Sequence, residues 1–128
     1  ERVKCERLRA IAIEAAEQCD RLTVPQVDEP IALAALAPLW PAGRVLLLCD
    51  ESRIGRPIAE VAATLAGAPL GVLIGPAGGF ADGELDALAT LPFATRVSLG
   101  PRLLRAETAA IAALAVVQAL AGDWRASA

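Results

Sequence analysis

Two arginines and a glutamate lie close together where a strand-like pattern gives way to a helix-like pattern. The segment GPRLLRAET, residues 100–108, contains Arg102, Arg105, Glu107 and Thr108. A helix N-terminus favours acidic and hydroxyl side chains, so Glu107 and Thr108 can be explained as capping residues. Two arginines at the same positive end are unfavourable unless an anion or an acidic group faces them. The segment therefore predicts a site for a phosphate or for an anionic edge of a substrate.

A second candidate segment concentrates glycine at one turn. In LIGPAGGFADGE, residues 73–84, Gly75, Gly78 and Gly79 allow unusual backbone angles and close approach to a ligand. No Lys-Ser/Thr follows, and the G-x-G-x-x-G order is absent, so the turn is not a phosphate loop of the usual kind. Two interpretations stay open: a turn shaped for a flat or bulky ligand, or a tight connection from strand to helix.

The composition excludes several classes of chemistry. The chain contains no histidine, which rules out a histidine metal site, a Ser-His-Asp triad and a histidine general base. Cys5, Cys19 and Cys49 form no Cys-x-x-Cys pair, so buried reduced thiols are expected and no metal is predicted. The net charge of -3 argues against a broad basic field for nucleic acid, although a local arginine cluster remains possible.

The elements that must position these residues follow from hydrophobic periodicity and from glycine and proline. Pro57 suits the first position of a helix, Pro38 and Pro41 are expected to close a weak helix, and Gly122 is expected to cap the last one. Helices are predicted over 3–19, 31–36, 57–67, 84–91 and 104–121. Strands are predicted over 44–51, 70–75 and 94–100, with a short extended piece over 23–27.

Alternating helices and apolar strands predict an α/β fold: one domain, residues 1–128, with a parallel sheet and helices on both faces. VLIGP (72–76) and VSLGP (97–101) both end a strand in Gly-Pro, which predicts two equivalent strand ends side by side. Ligands of open parallel sheets bind outside the carboxyl ends of the strands. No apolar run approaches the roughly 18 residues of a membrane span, so a cytoplasmic protein is expected.

Three motifs resemble those of RsmE-type RNA methyltransferases of the SPOUT class. They are IAIEAAEQCDRLTVPQV (11–27), LIGPAGGFADGE (73–84) and SLGPRLLRAETAAIAAL (98–114). The resemblance implies methylation of uridine N3 in small-subunit ribosomal RNA with S-adenosylmethionine, by a homodimer whose sheet ends in a deep trefoil knot. Family members are nearly twice as long, with an N-terminal RNA-binding domain and the first part of the catalytic domain ahead of Glu1.

The resemblance also implies roles for individual residues. Arg105 would stabilise a uridine anion or hold a phosphate, Glu107 would position the substrate or accept a proton, and Arg102 would bind substrate. Gln18 and Arg21 would contact RNA, although Glu17 and Arg21 also fit a plain i, i+4 surface pair. The residues implied to bind the cofactor are Leu48, Ile74, Gly75, Gly78, Gly79, Ser98, Leu99, Gly100 and Leu104.

Two departures from the family pattern leave a second function open. Ala77 replaces a glutamate of the first cofactor loop, and Ala81 replaces a serine that caps the next helix unless Asp82 takes over. A non-catalytic RNA-binding or ribosome-assembly module with the same fold is the main alternative. A generic nucleotide-binding domain is the third. The apolar face of the last helix fits either the core or a dimer surface; its residues are Ile111, Leu114, Val117 and Leu120.

Overall fold

A computed structural model describes residues 2–49, 54–76 and 78–126. The chain forms two compact units, Glu1–Leu39 and Trp40–Ala128. None of the helices in the described part of the chain is long and apolar enough to cross a bilayer.

The first unit is built on a long helix, α1 (Arg2–Gln18), which runs through a segment without glycine or proline. A short 3-10 turn, Leu33–Ala35, leads into α2 (Leu36–Leu39). The helix predicted over 31–36 therefore begins two residues later, at Leu33, and its first turn is a 3-10 turn. Pro38 lies within α2 and does not end it, because the first turn of a helix needs no amide hydrogen there.

The segment 22–32 of this unit has no regular secondary structure, so the extended piece predicted over 23–27 does not form a strand. Arg9 ties this segment to α1 through its guanidinium. Its Nε donates to the carbonyl oxygen of Val27 at 3.0 Å, and its Nη2 donates to Glu29 Oε1 at 3.1 Å. Cys19, expected to be buried, is exposed and donates from Sγ to the Ala15 carbonyl.

The second unit contains a four-stranded parallel sheet, which confirms the predicted fold class. The strand order is β2-β4-β1-β3. Leu46, Leu47 and Leu48 are 2%, 0% and 0% exposed. Because successive side chains of a strand point to opposite faces, both faces of β1 are covered. The strands are β1 (Val45–Cys49), β2 (Arg56–Pro57), β3 (Leu70–Ile74) and β4 (Ala94–Ser98).

Three helices accompany the sheet, and α3 and α5 pack against each other. They are α3 (Ile58–Ala63), α4 (Glu84–Ala89) and α5 (Ala106–Leu120). The last helix ends at Leu120, one residue earlier than predicted, with Ala121 as its C-cap. Gly122 follows, and its nitrogen donates to the Val117 carbonyl at 3.0 Å. The buried core between β1, β4, α3 and α5 consists of Leu47, Cys49, Ile58, Val61, Val97, Ala113 and Val117.

The short strand β2 is absent from the sequence prediction. Its two residues include Pro57, which is tolerated because β2 pairs only with β4 at the edge of the sheet. A Cβ atom at Gly55 would lie 2.6 Å from the carbonyl carbon of Arg96 and from the nitrogen of Val97. The glycine therefore permits the close approach of the two backbones. Pro57 precedes α3 as its N-cap and is not its first residue.

The two strands that end in Gly-Pro are not neighbours, contrary to the prediction. β1 lies between them and pairs with both. Its continuous apolar sequence is the most deeply buried in the sheet, which explains its central position. The predicted last two residues of this strand, 50 and 51, lie outside the described residues.

An aromatic cluster closes the opposite end of the sheet, where the strands begin. The rings of Trp40 and Phe93 stack with centroids 5.8 Å apart, and the Arg44 guanidinium lies 5.8 Å from the Trp40 ring. The Trp40 Nε1 donates to the Arg44 carbonyl at 2.6 Å. A Cβ atom at Gly71 would lie 2.6 Å from the indole, so this glycine gives the ring its place against β3.

Candidate functional site

The candidate site lies at the carboxyl edge of the sheet. Cys49 pairs with both Ile74 and Val97, so β1, β3 and β4 end at nearly the same level. The chain leaves β3 and β4 through loops that surround a cavity of about 790 Å³. This volume lies within the range of small-molecule sites, about 300–1,000 Å³. The cavity is lined mainly by residues 74–76, 78–83 and 99–107.

The glycines of the first loop have separate roles. The nitrogen of Gly79 donates to the Pro76 carbonyl at 2.8 Å, and Gly79 has a φ of 79°. A Cβ atom at Gly75 would lie 3.0 Å from the ring of Phe80. One glycine therefore supplies a left-handed turn, while the other lets an aromatic ring pack on the backbone. Both leave main-chain atoms at the surface of the cavity.

Glu84, the first residue of α4, closes the turn that precedes the helix. Its Oε1 accepts a hydrogen bond from the nitrogen of Ala81, three residues earlier, at 2.6 Å. Gly83, the N-cap, has a φ of 80° and forms no side-chain cap. The expected substitute, Asp82, is therefore not the capping residue. Glu84 holds the loop against the helix even though a serine is absent at position 81.

The second loop is organised by Ser98 and Gly100. The Ser98 Oγ accepts a hydrogen bond from the nitrogen of Gly100 at 3.1 Å, and Gly100 has a φ of 100°. The loop then brings Leu99 and Leu104 to the cavity. It ends at Arg105, the N-cap of α5, whose side chain forms no capping hydrogen bond. The Arg105 guanidinium is thus left available at a helix N-terminus.

The charges around the cavity differ in how they are paired. Arg96 Nη2 lies 3.0 Å from Asp86 Oδ1, and the Arg96 side chain is only 23% exposed. Arg102 and Arg105 are exposed, and within the described ranges neither forms an ion pair. Two unpaired guanidinium groups thus lie at the rim, and the anion site remains a prediction.

Within the second unit, the structure brings most of the predicted site residues together and leaves out Leu48 and Ser98. Leu48 is fully buried; the strand extends one residue further, and Cys49 reaches the cavity in its place. Ser98 shapes the loop and does not line the cavity. Gln18 and Arg21 are exposed residues of the first unit, and their contact with RNA remains a prediction. The predicted residues that line the cavity are Ile74, Gly75, Gly78, Gly79, Leu99, Gly100, Arg102, Leu104, Arg105 and Glu107.

Several lining residues escaped the sequence interpretation. Phe80 and Asp82 lie inside the glycine motif, and Leu103 lies inside the arginine motif, yet only their neighbours were assigned. Arg96 carried a signal of its own, because a charged residue inside a short buried strand needs a partner. That partner, Asp86, lies on α4.

The two adjacent glycines of the first loop allow a matched test. Gly79→Ala is expected to lower the free energy of unfolding by about 1–2 kcal/mol, because a left-handed residue with a Cβ is strained. Gly78→Ala is the control: its φ is not left-handed, and a Cβ there would meet no atom within 4 Å. Urea unfolding of both variants gives the comparison. Equal stability of the two would contradict the assigned role of Gly79.

Residues 1–118 match the model of a family described as the RNA methyltransferase domain. The chain belongs to this family. A family member from Rickettsia conorii, ribosomal RNA small subunit methyltransferase E, is 36% identical over 92% of the chain and 48% of the relative. The protein of the same name from Mycobacterium bovis is 40% identical over 95% of the chain and 47% of its own length.

Solved structures agree with this assignment. Ribosomal RNA small subunit methyltransferase E from Neisseria gonorrhoeae, bound to S-adenosyl methionine, has a TM-score of 0.85 and 30% identity, over 95% of the chain and 50% of its own. A Legionella pneumophila structure with the bound cofactor SAM has a TM-score of 0.78 and 32% identity, over 90% of the chain and 46% of its own. The chain thus spans about half the length of the relatives it matches.

Proposed function

We propose that this chain is the catalytic part of an enzyme that methylates uridine N3 in small-subunit ribosomal RNA with S-adenosylmethionine. The observation that carries the proposal is the cavity at the carboxyl edge of the sheet, which both sequence motifs line. Membership of the RNA methyltransferase domain family supports the reaction class. The names of the relatives support the choice of RNA.

The cavity fits S-adenosylmethionine in size and in chemistry. Its apolar side chains, Ile74, Leu99 and Leu104, suit an adenine ring, and the glycine turns expose main-chain polar atoms to the ligand. The ligand carries no phosphate, which agrees with a glycine loop that lacks lysine. When bound, S-adenosylmethionine supplies a methyl group activated by a sulfonium. Two relatives of similar fold bind this molecule.

The residues at the rim would act on the RNA. Methyl transfer is an in-line displacement, so the main task of the protein is to align the uridine with the donor. N3 of uridine must lose its proton, and Arg105 would stabilise the resulting anion. Glu107, in the first turn of α5, is the candidate for accepting that proton or positioning the base. Arg102 would hold a neighbouring phosphate.

Three further features belong to the same proposal: a trefoil knot, a homodimer and a cytoplasmic location. Ile111 and Leu114 on α5 are 71% and 54% exposed, whereas Val117 is buried in the core. The apolar face of this helix thus divides between the core and a surface that a second subunit can cover. Contact of Gln18 and Arg21 with RNA also stays a proposal.

The test uses the protein in its full native length. Calorimetry with S-adenosylmethionine measures binding, and transfer of a labelled methyl group to small-subunit ribosomal RNA, mapped by mass spectrometry, measures the reaction and its position. We expect binding and methylation of a uridine N3, with none in a control without cofactor. Binding of RNA with no affinity for S-adenosylmethionine would instead identify a non-catalytic module and overturn the proposal.

A further inference from the structure

Among the described residues, Arg96 and Asp86 form an ion pair in the wall of the cavity. Arg96 is the charged residue of β4, and its register partner in the central strand is the fully buried Leu48. The Arg96 side chain is 23% exposed, and its Nη2 lies 3.0 Å from Oδ1 of Asp86 on α4, whose side chain is 80% exposed. Both residues line the cavity. An arginine held in this position by a strand cannot move away from a bound ligand as a surface arginine can.

We infer that Asp86 neutralises Arg96 so that the cavity accepts a cationic ligand. The inference rests on the proposed function, because S-adenosylmethionine carries a positive sulfonium. An ionised Asp86 beside Arg96 adds no net charge to the wall, whereas a neutral residue at position 86 would leave one more positive charge there. Among the described residues, the charged side chains that line the cavity are Asp82, Asp86, Glu107, Arg96, Arg102 and Arg105.

Asp86 is better placed for this role than the other two acids. Within the described part of the chain, neither Asp82 nor Glu107 forms an ion pair, and Glu107 belongs to the first turn of α5 at the rim. Arg102 and Arg105 are exposed, so water and salt screen their charges. Arg96 is the least exposed of the three arginines, and the charge of its direct partner therefore matters most to a ligand inside the cavity.

The ligand pair that isolates this effect is S-adenosylmethionine and S-adenosylhomocysteine. The two share the adenosyl and amino-acid parts, and the second has a neutral sulfur. Removing one charge from the wall changes the electrostatic energy of the sulfonium, which only S-adenosylmethionine carries, whereas effects on the shared parts and on shape apply to both ligands. The ratio of the two dissociation constants therefore reports the charge of the wall.

The experiment measures both dissociation constants by calorimetry for full-length wild type, Asp86→Asn, Arg96→Gln and the double variant. Asp86→Asn is expected to weaken S-adenosylmethionine about two- to fivefold relative to S-adenosylhomocysteine, because the Asp86 side chain is 80% exposed and solvent screens much of its charge. The double variant should restore the wild-type ratio. Added salt should reduce the effect.

A matched control removes a carboxylate from an ion pair outside the cavity. Glu60 lies 3.7 Å from Arg56 and does not line the cavity, so Glu60→Gln should leave the ratio unchanged. If Asp86→Asn weakens both ligands equally, or if the double variant does not restore the ratio, Asp86 only supports the position of α4 and the inference is wrong. Failure of the wild type to bind either ligand would instead overturn the proposed function.

Discussion

Arg105→Ala is expected to lower the rate of methyl transfer about 10²–10³-fold, the effect of removing one group that stabilises developing negative charge. The affinity for S-adenosylmethionine should stay close to that of the wild type. The reason is its position: Arg105 ends the second loop as the N-cap of α5, with an exposed guanidinium that caps nothing. A group placed this way contributes to the substrate more than to the fold.

The measurement is a single-turnover assay with ribosomal RNA together with calorimetry of the cofactor. Arg125→Ala is the matched control, because Arg125 is also exposed and donates only to the Gly122 carbonyl, away from the cavity. Turnover retained by Arg105→Ala would remove this residue from the reaction. A parallel loss of cofactor affinity would move it from the RNA to the cofactor.

Leu48→Ala is expected to lower the free energy of unfolding by about 2–5 kcal/mol, the range for a leucine truncated in a packed core. Leu48 is fully buried in the central strand and does not line the cavity. Its truncation leaves a void between β1 and its neighbours. The resemblance places cofactor contact at this residue, whereas the structure gives it a packing role.

Urea unfolding tests this prediction, with Leu103→Ala as the control. Leu103 lines the cavity but is 65% exposed, so its truncation should leave stability nearly unchanged. The two variants separate packing from ligand contact at residues of one type. If Leu48→Ala unfolds at the same urea concentration as the wild type, the packing role assigned to Leu48 is wrong.

Two strands were predictable because their sequence is continuously apolar. Val45–Cys49 and Leu70–Ile74 agree with the prediction to within two residues, since short apolar runs favour buried strands. Ala94–Ser98 also agrees to within two residues, although it contains Arg96. β2 was not predictable: two residues carry no periodicity, and their pairing depends on the missing side chain at Gly55.

The site was predictable in its loops and not in its walls. Glycine and arginine motifs are local in sequence, so their positions at strand ends followed from the pattern. The order of the strands is not local, and the central position of β1 separates the two Gly-Pro corners. The pair between Arg96 and Asp86 likewise joins a strand to a helix, and only the packing of the two elements brings the charges within 3.0 Å.

The position of Trp40 has a practical consequence for these experiments. The chain has two tryptophans, and the second, Trp124, is 65% exposed. In a Trp124→Phe background, fluorescence would come from the indole stacked on Phe93 alone. That emission should shift to longer wavelength when the sheet opens to water. Because the indole lies at the end of the sheet opposite the ligand, the same optical signal can rank the stability of every variant with the cofactor present or absent.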